Sequence, residues 1–157
     1  MSRSCRGMRS APWALLVATL LSGCSDSISP QIIEDTQFAD VLGIDLDKMT
    51  RTASGLFIEE VEEGQGDPAV VGDVVEVTYT GRLSNGNTFD AGQFTFTLGM
   101  VGPGGVIAGF DEGVRGMRVD GIRRIVIPPT LGYGNVANGP IPAGSILIFD
   151  LQLDSIN

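Results

Sequence analysis

The chain has 157 residues, 43% of them hydrophobic, which is enough for one domain with a packed core and a tail. Its net charge of −9 argues against nucleic acids and anionic membrane surfaces as partners, because both are negatively charged. The sequence has no histidine, and this excludes His-based catalytic triads and most zinc sites.

The first 23 residues have the three parts of a secretory signal peptide. Arg3, Arg6 and Arg9 form a basic head, and residues 11–21 form an apolar run that is too short to span a bilayer as a helix. A buried core helix is the alternative, but no polar stripe interrupts the run. We therefore expect residues 1–23 to be removed on export.

The end of this segment, Leu21-Ser22-Gly23-Cys24, resembles the bacterial lipobox, in which the cysteine receives a lipid and becomes the N-terminal residue. The resemblance predicts lipidation at Cys24 and anchoring in the bacterial cell envelope, facing the periplasm or the cell surface. Cys5 would leave with the signal, so the mature domain would have no thiol for a disulfide. Seven basic residues would then face 19 acidic ones, a net charge of −12.

Residues 24–52 form a mixed polar segment with no sustained hydrophobic period. Asp40 to Met49 could form a turn or two of helix, although Gly43 weakens that prediction. We interpret the segment as a tether that holds the domain off the membrane. The alternative, in which it packs on the domain as an additional element, is equally open.

From residue 53 onward the chain reads as a domain of short strands separated by glycine-rich turns. The predicted strands are Leu56–Glu62, Val74–Gly81, Phe94–Leu98, Ile122–Ile127 and Ser145–Leu153. Pro128 and Pro129 end the fourth strand, because proline cannot continue a sheet ladder. The last strand is apolar on one face, and we expect it in the sheet interior.

Only one segment of the domain has a helical pattern. Between Pro103 and Gly116, the apolar residues Ile107, Phe110 and Val114 recur at helical spacing and allow three or four turns at most. The sequence thus predicts an α+β fold, with an antiparallel sheet of about five strands wrapped on one short helix.

Conventional catalytic motifs are missing from the sequence. There is no Gly-x-Ser-x-Gly nucleophile motif, and the glycines at 102, 104 and 105 have no neighbouring lysine that would indicate a phosphate loop. What remains is a set of aromatic residues with a few polar groups near turns. That composition is typical of an apolar binding pocket.

The order of five sequence blocks resembles the FKBP-type peptidyl-prolyl cis-trans isomerases over residues 55–154. The blocks are Val77-Thr78-Tyr79-Thr80-Gly81 with Phe89-Asp90; Phe94-Thr95-Phe96-Thr97-Leu98-Gly99; Val106-Ile107-Ala108-Gly109-Phe110-Asp111-Glu112-Gly113; Leu131-Gly132-Tyr133-Gly134; and Leu147-Ile148-Phe149-Asp150-Leu151. The resemblance implies an FKBP-like fold and an isomerase that acts on proline-containing polypeptides. It implies no cofactor and no metal, and we expect a monomer.

The resemblance also assigns roles to individual residues. Three would act on the substrate amide as polar contacts: Asp90, Tyr133 and the backbone N–H of Ile107. The pocket would be walled by apolar and aromatic side chains, with the Phe110 ring as its floor. These wall residues are Tyr79, Phe89, Phe94, Val106, Ile107, Ile141 and Phe149. Taken singly, Phe94, Phe96, Phe110 and Phe149 are better explained as ordinary core, and only the joint order of the blocks favours a site.

The sequence departs from the family pattern in four places. Phe110 stands where many members have a tryptophan, and no arginine follows Asp90 to orient its carboxylate. The connection at residues 91–93 is short, and the glycine-rich loop at residues 101–105 is long. Phe110 and the missing arginine keep one alternative open, a non-catalytic module that binds proline-containing peptides or partner proteins. A structural envelope lipoprotein without a ligand is a third interpretation.

Overall fold

The computed structural model describes residues 32–157, so the predicted signal peptide and Cys24 lie outside the described range. The described chain forms one antiparallel sheet and one α-helix, α1 (Ala108–Val114). The strands are β1 (Thr50–Arg51), β2 (Phe57–Glu62), β3 (Val74–Leu83), β4 (Thr88–Thr97), β5 (Ile122–Ile127) and β6 (Leu147–Ile156). Short 3₁₀ turns occur at Ile33–Asp35, Asp40–Leu42, Leu46–Lys48 and Pro129–Leu131.

The strands follow the order β1-β2-β5-β6-β3-β4, and every adjacent pair is antiparallel. This arrangement confirms the predicted α+β fold. The last strand, β6, pairs with β5 on one side and with β3 on the other, so it lies in the sheet interior as expected. The helix has seven residues, about two turns, which is within the predicted limit.

Two features of the sheet differ from the prediction. It has six strands rather than about five, because Thr50 and Arg51 pair with Ile58 and Phe57. The third predicted strand is also longer, since β4 begins at Thr88 instead of Phe94. Residues 91–93, predicted as a connection, continue the pairing with β3.

The turn between β3 and β4 follows from its sequence. Gly86 takes a positive φ of 87°, which glycine adopts at little cost, and its N–H donates to the carbonyl of Leu83 at 2.9 Å. The side chain of Asn85 accepts a hydrogen bond from the N–H of Asn87 at 2.9 Å. This tight turn places β3 and β4 side by side.

The helix packs closely on β5 because two of its residues are glycines. A Cβ atom at Gly109 would lie 2.4 Å from Cγ2 of Ile127, and one at Gly113 would lie 2.6 Å from Cδ1 of Ile125. Both distances are too short for two carbon atoms that are not bonded to each other. The missing side chains let the helix backbone approach the sheet, so Phe110 and Val114 reach the core.

The main core fills the space between α1 and one face of the sheet. Its members are the buried side chains of Leu56, Ala69, Val75, Val77, Phe96, Leu98, Phe110, Val114, Met117, Ile125, Ile127, Ile141, Leu147, Phe149, Leu151 and Leu153. The alternation of β5 and β6 places every second residue here. The residues between them, such as Val126 and Ile148, face the other side of the sheet.

That other face is covered by the chain before β1. Ile33, Leu42 and Met49 are buried there in a second cluster with four residues from the sheet and its flanking loop. These four are Phe57, Val126, Ile146 and Ile148. The carbonyl of Leu42 accepts from Nη1 of Arg124 at 3.2 Å. Residues 33–49 therefore pack as an additional element, the second of the two arrangements that the sequence left open.

Among residues 32–157, no helix has the length and apolar character needed to cross a membrane.

Candidate functional site

A cavity of about 500 Å³ opens between the start of α1 and the sheet. Of the ten residues predicted to form the site, nine line it: Tyr79, Phe89, Asp90, Phe94, Val106, Ile107, Phe110, Tyr133 and Phe149. The tenth, Ile141, is not among the lining residues. Its side chain is 4% exposed and belongs to the main core.

The floor of the cavity is an aromatic cluster centred on Phe110. Its ring makes edge contacts with Phe149 at 5.2 Å, Phe96 at 5.6 Å and Tyr79 at 5.9 Å between ring centroids. Phe89 in turn packs edge-on against Phe149 at 5.5 Å. Such edge-to-face packing fixes the rings against one another and gives an apolar surface with defined shape.

The carboxylate of Asp90 is held by two hydrogen bonds. The hydroxyl group of Tyr79 donates to Oδ2 at 2.7 Å, and the backbone N–H of Ala91 donates to Oδ1 at 3.0 Å. The orientation of this carboxylate was uncertain from the sequence, because no arginine follows it. The hydroxyl of a tyrosine on the adjacent strand therefore orients the carboxylate.

The arginine of β3, Arg82, does not orient Asp90, because it forms an ion pair with Asp150 on β6. Arg124 on β5 forms a second ion pair with the same carboxylate, at 2.6 Å. The three charges thus tie the central strands together on the sheet.

Burial of the Tyr79 side chain raises the pKa of its phenol to about 12. The hydrogen bond to Asp90, the negative charge of that carboxylate and the nearby Tyr133 act in the same direction. Tyr79 therefore stays protonated at neutral pH and remains a donor to Asp90.

Ile107 combines an apolar side chain with an available donor. It is the N-cap residue of α1 with extended backbone (φ −68°, ψ 149°), and its carbonyl accepts from the N–H groups of Phe110 and Asp111 at 3.0 and 3.2 Å. Its own N–H makes no hydrogen bond within the described residues. The first N–H groups of a helix lack intrahelical partners, so this one can serve a ligand.

Tyr133 lines the cavity from the loop just after the 3₁₀ turn that ends at Leu131. Its side chain is 38% exposed, and its hydroxyl makes no hydrogen bond within residues 32–157. The loop is held by the N–H of Gly134, which donates to the carbonyl of Pro129 at 2.8 Å. The hydroxyl is thus free to bond a molecule in the cavity.

The glycine-rich loop at residues 101–105, whose role the sequence left open, lines the cavity through Val101, Gly102 and Gly105. It is closed by the N–H of Gly102, which donates to the carbonyl of Val106 at 3.1 Å. Only glycine fits at position 105, because a Cβ atom there would lie 2.0 Å from the carbonyl oxygen of Met100.

A buried aspartate on α1 anchors the start of this loop. Asp111 is 1% exposed, and its Oδ1 accepts from the N–H of Gly99 at 2.6 Å. Its Oδ2 accepts from Nε of Arg115 at 2.8 Å, which compensates the buried charge. The helix that carries Phe110 and the loop over the cavity are therefore joined through one side chain.

Sequence reasoning missed seven lining residues: Val101, Gly102, Gly105, Ala108, Thr130, Leu131 and Gly132. Ala108, Leu131 and Gly132 lie within the recognised blocks, beside the predicted Ile107 and Tyr133. The other four lie outside the blocks, and Gly102 and Gly105 have no side chain that could indicate a cavity wall.

The fold and the aromatic cavity agree with the comparison with known families. The family described as FKBP-type peptidyl-prolyl cis-trans isomerase matches residues 66–154. The chain belongs to this family.

Individual relatives support the same assignment. The chain is 49% identical over 115 residues to FK506-binding protein 4 of Mycosarcoma maydis, covering 69% of this chain and 30% of that protein. It is 45% identical over 105 residues to the FK506-binding protein of Neisseria meningitidis serogroup B, covering 63% of this chain and 94% of that protein. The crystal structure of AtFKBP13 matches with a TM-score of 0.63 and 32% identity, covering 69% of this chain and 98% of that one.

The extent of these matches differs between relatives. The chain spans 30% of the Mycosarcoma maydis protein and 21% of FK506-binding protein 4 of Aspergillus fumigatus, so it matches one part of those longer proteins. The Neisseria meningitidis protein, in contrast, is covered over nearly its whole length.

Proposed function

We propose that the protein is a peptidyl-prolyl cis-trans isomerase that acts on Xaa-Pro bonds of exported proteins as they fold. One observation carries this proposal. An apolar aromatic cavity holds three polar groups at its rim, and these are the Asp90 carboxylate, the Tyr133 hydroxyl and the free N–H of Ile107. The family membership supports the same activity.

The reaction suits a cavity of this kind. Rotation about a peptide bond must overcome partial double-bond character, with a barrier of about 18–20 kcal/mol, and no covalent bond is made or broken. The planar amide is more polar than the twisted one. Moving it from water into an apolar cavity therefore raises the ground state relative to the transition state.

The polar groups would act on the twisted amide. The N–H of Ile107 and the hydroxyl of Tyr133, both from residues that line the cavity, would donate to substrate carbonyl groups, and preorganised donors are most effective where water is excluded. Asp90, oriented by Tyr79, puts a negative charge beside the amide carbonyl carbon, which becomes more positive once resonance is lost. Phe110 and Phe149 supply the surface on which the proline ring would pack.

An isomerisation assay on a short Xaa-Pro peptide tests the activity. We expect the chain from Ser25 onward to accelerate the reaction. Tyr133→Phe should lower kcat/KM by about five- to tenfold, the value of one hydrogen bond, and Asp90→Ala should lower it by at least as much through loss of the charge. Asp67→Ala is a matched control, because Asp67 is exposed and lies outside the cavity. Uncatalysed rates would contradict the proposal, and peptide binding without acceleration would identify the non-catalytic alternative.

The proposed location is the bacterial cell envelope, with the domain anchored by lipid at Cys24. The sequence before the described residues supports this, through its basic head, its short apolar run and its lipobox-like end. Several acyl chains, each contributing about 0.8 kcal/mol per buried methylene, would give a durable anchor. Cys24→Ala should abolish incorporation of a labelled fatty acid, and label retained in this variant would contradict the anchor.

A further inference from the structure

The edge strand β4 has features of a binding surface for extended chain. It is ten residues long, and within residues 32–157 only β3 pairs with it. Natural edge strands are protected by lysine, proline or bulges that prevent pairing with other chains. From Thr88 to Thr97 the strand has no proline and no basic residue, and Asp90 is its only charged residue. Its pairing with β3 shifts register only at Phe89, and residues 90–97 pair without interruption.

The register shows which backbone groups of β4 point outward. Leu98, directly after the strand, donates to the carbonyl of Asp73 and accepts from the N–H of Gly72, both at 2.9 Å. Alternate residues of an antiparallel strand point their N–H and C=O groups to opposite sides. Phe96 and Phe94 therefore bond to β3, while Thr95 and Gln93 point their backbone groups away from the sheet.

One outward group at each end of this row is already hydrogen-bonded, and the groups in the middle are open. At one end, the N–H of Ala91 is taken by the Asp90 carboxylate at 3.0 Å. At the other, the carbonyl of Thr97 accepts from the N–H of Met100 at 3.1 Å. The groups of Gln93 and Thr95 remain between them, enough to pair with a short extended segment.

This open row is continuous with the cavity. From the floor at Phe110, the rings of Phe96 and Phe94 follow at 5.6 and 6.0 Å, and Phe94 is 44% exposed at the edge. Extended chain covers about 3.3 Å per residue, so roughly three or four residues span this path. Gly92 lies between Asp90 and Phe94 on the same strand face, and a Cβ there would meet nothing within 4 Å. This gap leaves room for a side chain of a bound strand.

We propose that the outer edge of β4 binds the client segment next to the Xaa-Pro bond as an added antiparallel strand. The inference rests on the proposed function, because the cavity must hold the proline. Main-chain hydrogen bonds to Gln93 and Thr95 would favour any extended client segment with little regard to its sequence. A client would thus be recognised by an extended stretch about four residues from the proline, in addition to the proline itself.

The test compares two fluorescent peptides, both with neutral side chains. The short peptide has two residues on each side of Xaa-Pro, and the long one has six more at each end. We expect the long peptide to bind wild-type protein about tenfold more tightly, from two or three added backbone hydrogen bonds. Fluorescence anisotropy gives the dissociation constants. Isomerisation of the short peptide is measured separately. A lack of isomerase activity can therefore be distinguished from a lack of strand binding at the outer edge of β4.

Thr95→Pro removes the outward N–H, and Thr95→Val is the matched control that keeps it. Both are suited to an exposed edge position, where proline is tolerated. Thr95→Pro should abolish the tenfold gain, Thr95→Val should retain it, and all three proteins should isomerise the short peptide equally. If Thr95→Pro fails to fold, a long peptide with N-methylated flanking amides replaces it and should bind wild type no better than the short one.

Three results would overturn the proposal. The first is a long peptide that binds no better than the short one. The second is a gain that survives both Thr95→Pro and N-methylation of the peptide. The third is self-association of wild-type protein that Thr95→Pro abolishes without any gain for the long peptide, since the edge would then bind a second copy of this chain.

Discussion

Tyr79 on β3 donates a 2.7 Å hydrogen bond to Asp90 on β4, although the residue paired with Asp90 is Gly81. A side chain at Gly81 is impossible, because its Cβ would lie 2.6 Å from the Phe89 ring and 2.9 Å from the Phe149 ring. The diagonal neighbour, Tyr79, therefore reaches the carboxylate. The missing side chain at Gly81 thus makes room for the rings of Phe89 and Phe149 and also lets Tyr79 orient the Asp90 carboxylate.

The first prediction concerns the titration of this tyrosine. The chain has two tyrosines, so in Tyr133→Phe the ultraviolet titration reports Tyr79 alone, and we expect its pKa to stay raised, because burial and Asp90, the larger causes, remain. Asp90→Asn removes the negative charge but not the burial, which is the larger cause. The pKa should then fall and stay above the ordinary value of about 10. A pKa of about 10 with Asp90 intact would contradict this.

The same shift predicts how stability depends on pH. The folded state holds the Tyr79 proton more tightly than the unfolded state, so the associated stability is complete below about pH 10, the pKa of an unperturbed tyrosine. It is lost as the pH rises from there through about 12. Between about pH 10 and 12, the free energy of unfolding measured with urea should fall more steeply for wild type than for Tyr79→Phe, which has no phenol to titrate. An equal fall in both proteins would show that the pKa of Tyr79 is not raised.

The second prediction concerns the anchor of the loop over the cavity. Asp111→Asn keeps the shape of the side chain but weakens the bonds to Gly99 and Arg115. Because the group is buried, we expect a loss of about 2–3 kcal/mol in the free energy of unfolding. The loop that carries Val101 and Gly102 should loosen, so KM for a short Xaa-Pro peptide should rise more than kcat falls.

Glu112→Gln is the matched control for Asp111→Asn. Glu112 lies on the same helix, and its carboxylate contacts the exposed Ser54 instead of the loop. Its substitution should leave KM unchanged. An equal rise in KM for both variants would show that the helix as a whole, and not the bond to Gly99, positions the loop.

The third prediction tests the close packing of α1 on β5. Gly113→Ala improves helix propensity by about 1 kcal/mol, yet its Cβ would lie 2.6 Å from Cδ1 of Ile125. Overpacking should dominate and lower the stability by about 1–3 kcal/mol. Ile125→Val removes the clashing methyl group, so the double variant should be more stable than the sum of the single effects predicts. Additive effects would contradict the clash.

Much of the sheet could be predicted because its information is local. Val75, Val77 and Tyr79 alternate along β3, and Asn85-Gly86 is a turn sequence, so period and turn chemistry are visible in short windows. The site residues were found for a different reason. Their order along the chain matched a family, while each one alone could not be distinguished from core.

What the sequence did not reveal depends on contacts between distant segments. Ala91, Gly92 and Gln93 are weak strand formers, and they are extended because β3 provides a ladder beside them. The bond from Tyr79 to Asp90 requires the register of two strands. Ile141 lies between two prolines, outside any strand or helix pattern. The sequence around it therefore cannot show whether its side chain belongs to the core or to the cavity wall.

The last prediction concerns the segment before β1. Ile33, Leu42 and Met49 are 2%, 5% and 8% exposed, and removing them uncovers Phe57, Val126 and Ile148 on the sheet. Burial of a large apolar side chain contributes about 1.5–3 kcal/mol, partly offset by the entropy of ordering the segment. A chain that begins at Thr50 should therefore be less stable than one that begins at Ser25 by about 2–4 kcal/mol.

Urea unfolding of the two chains measures this difference, and Leu42→Ala in the longer chain should reproduce about 2 kcal/mol of it. Val41→Ala is the matched control, because Val41 is 83% exposed. None of residues 32–49, the part of this segment that the structure describes, lines the cavity, so the shorter chain should keep its kcat/KM for a short peptide at temperatures where it stays folded. Equal stability of the two chains would mean that the segment acts only as a tether.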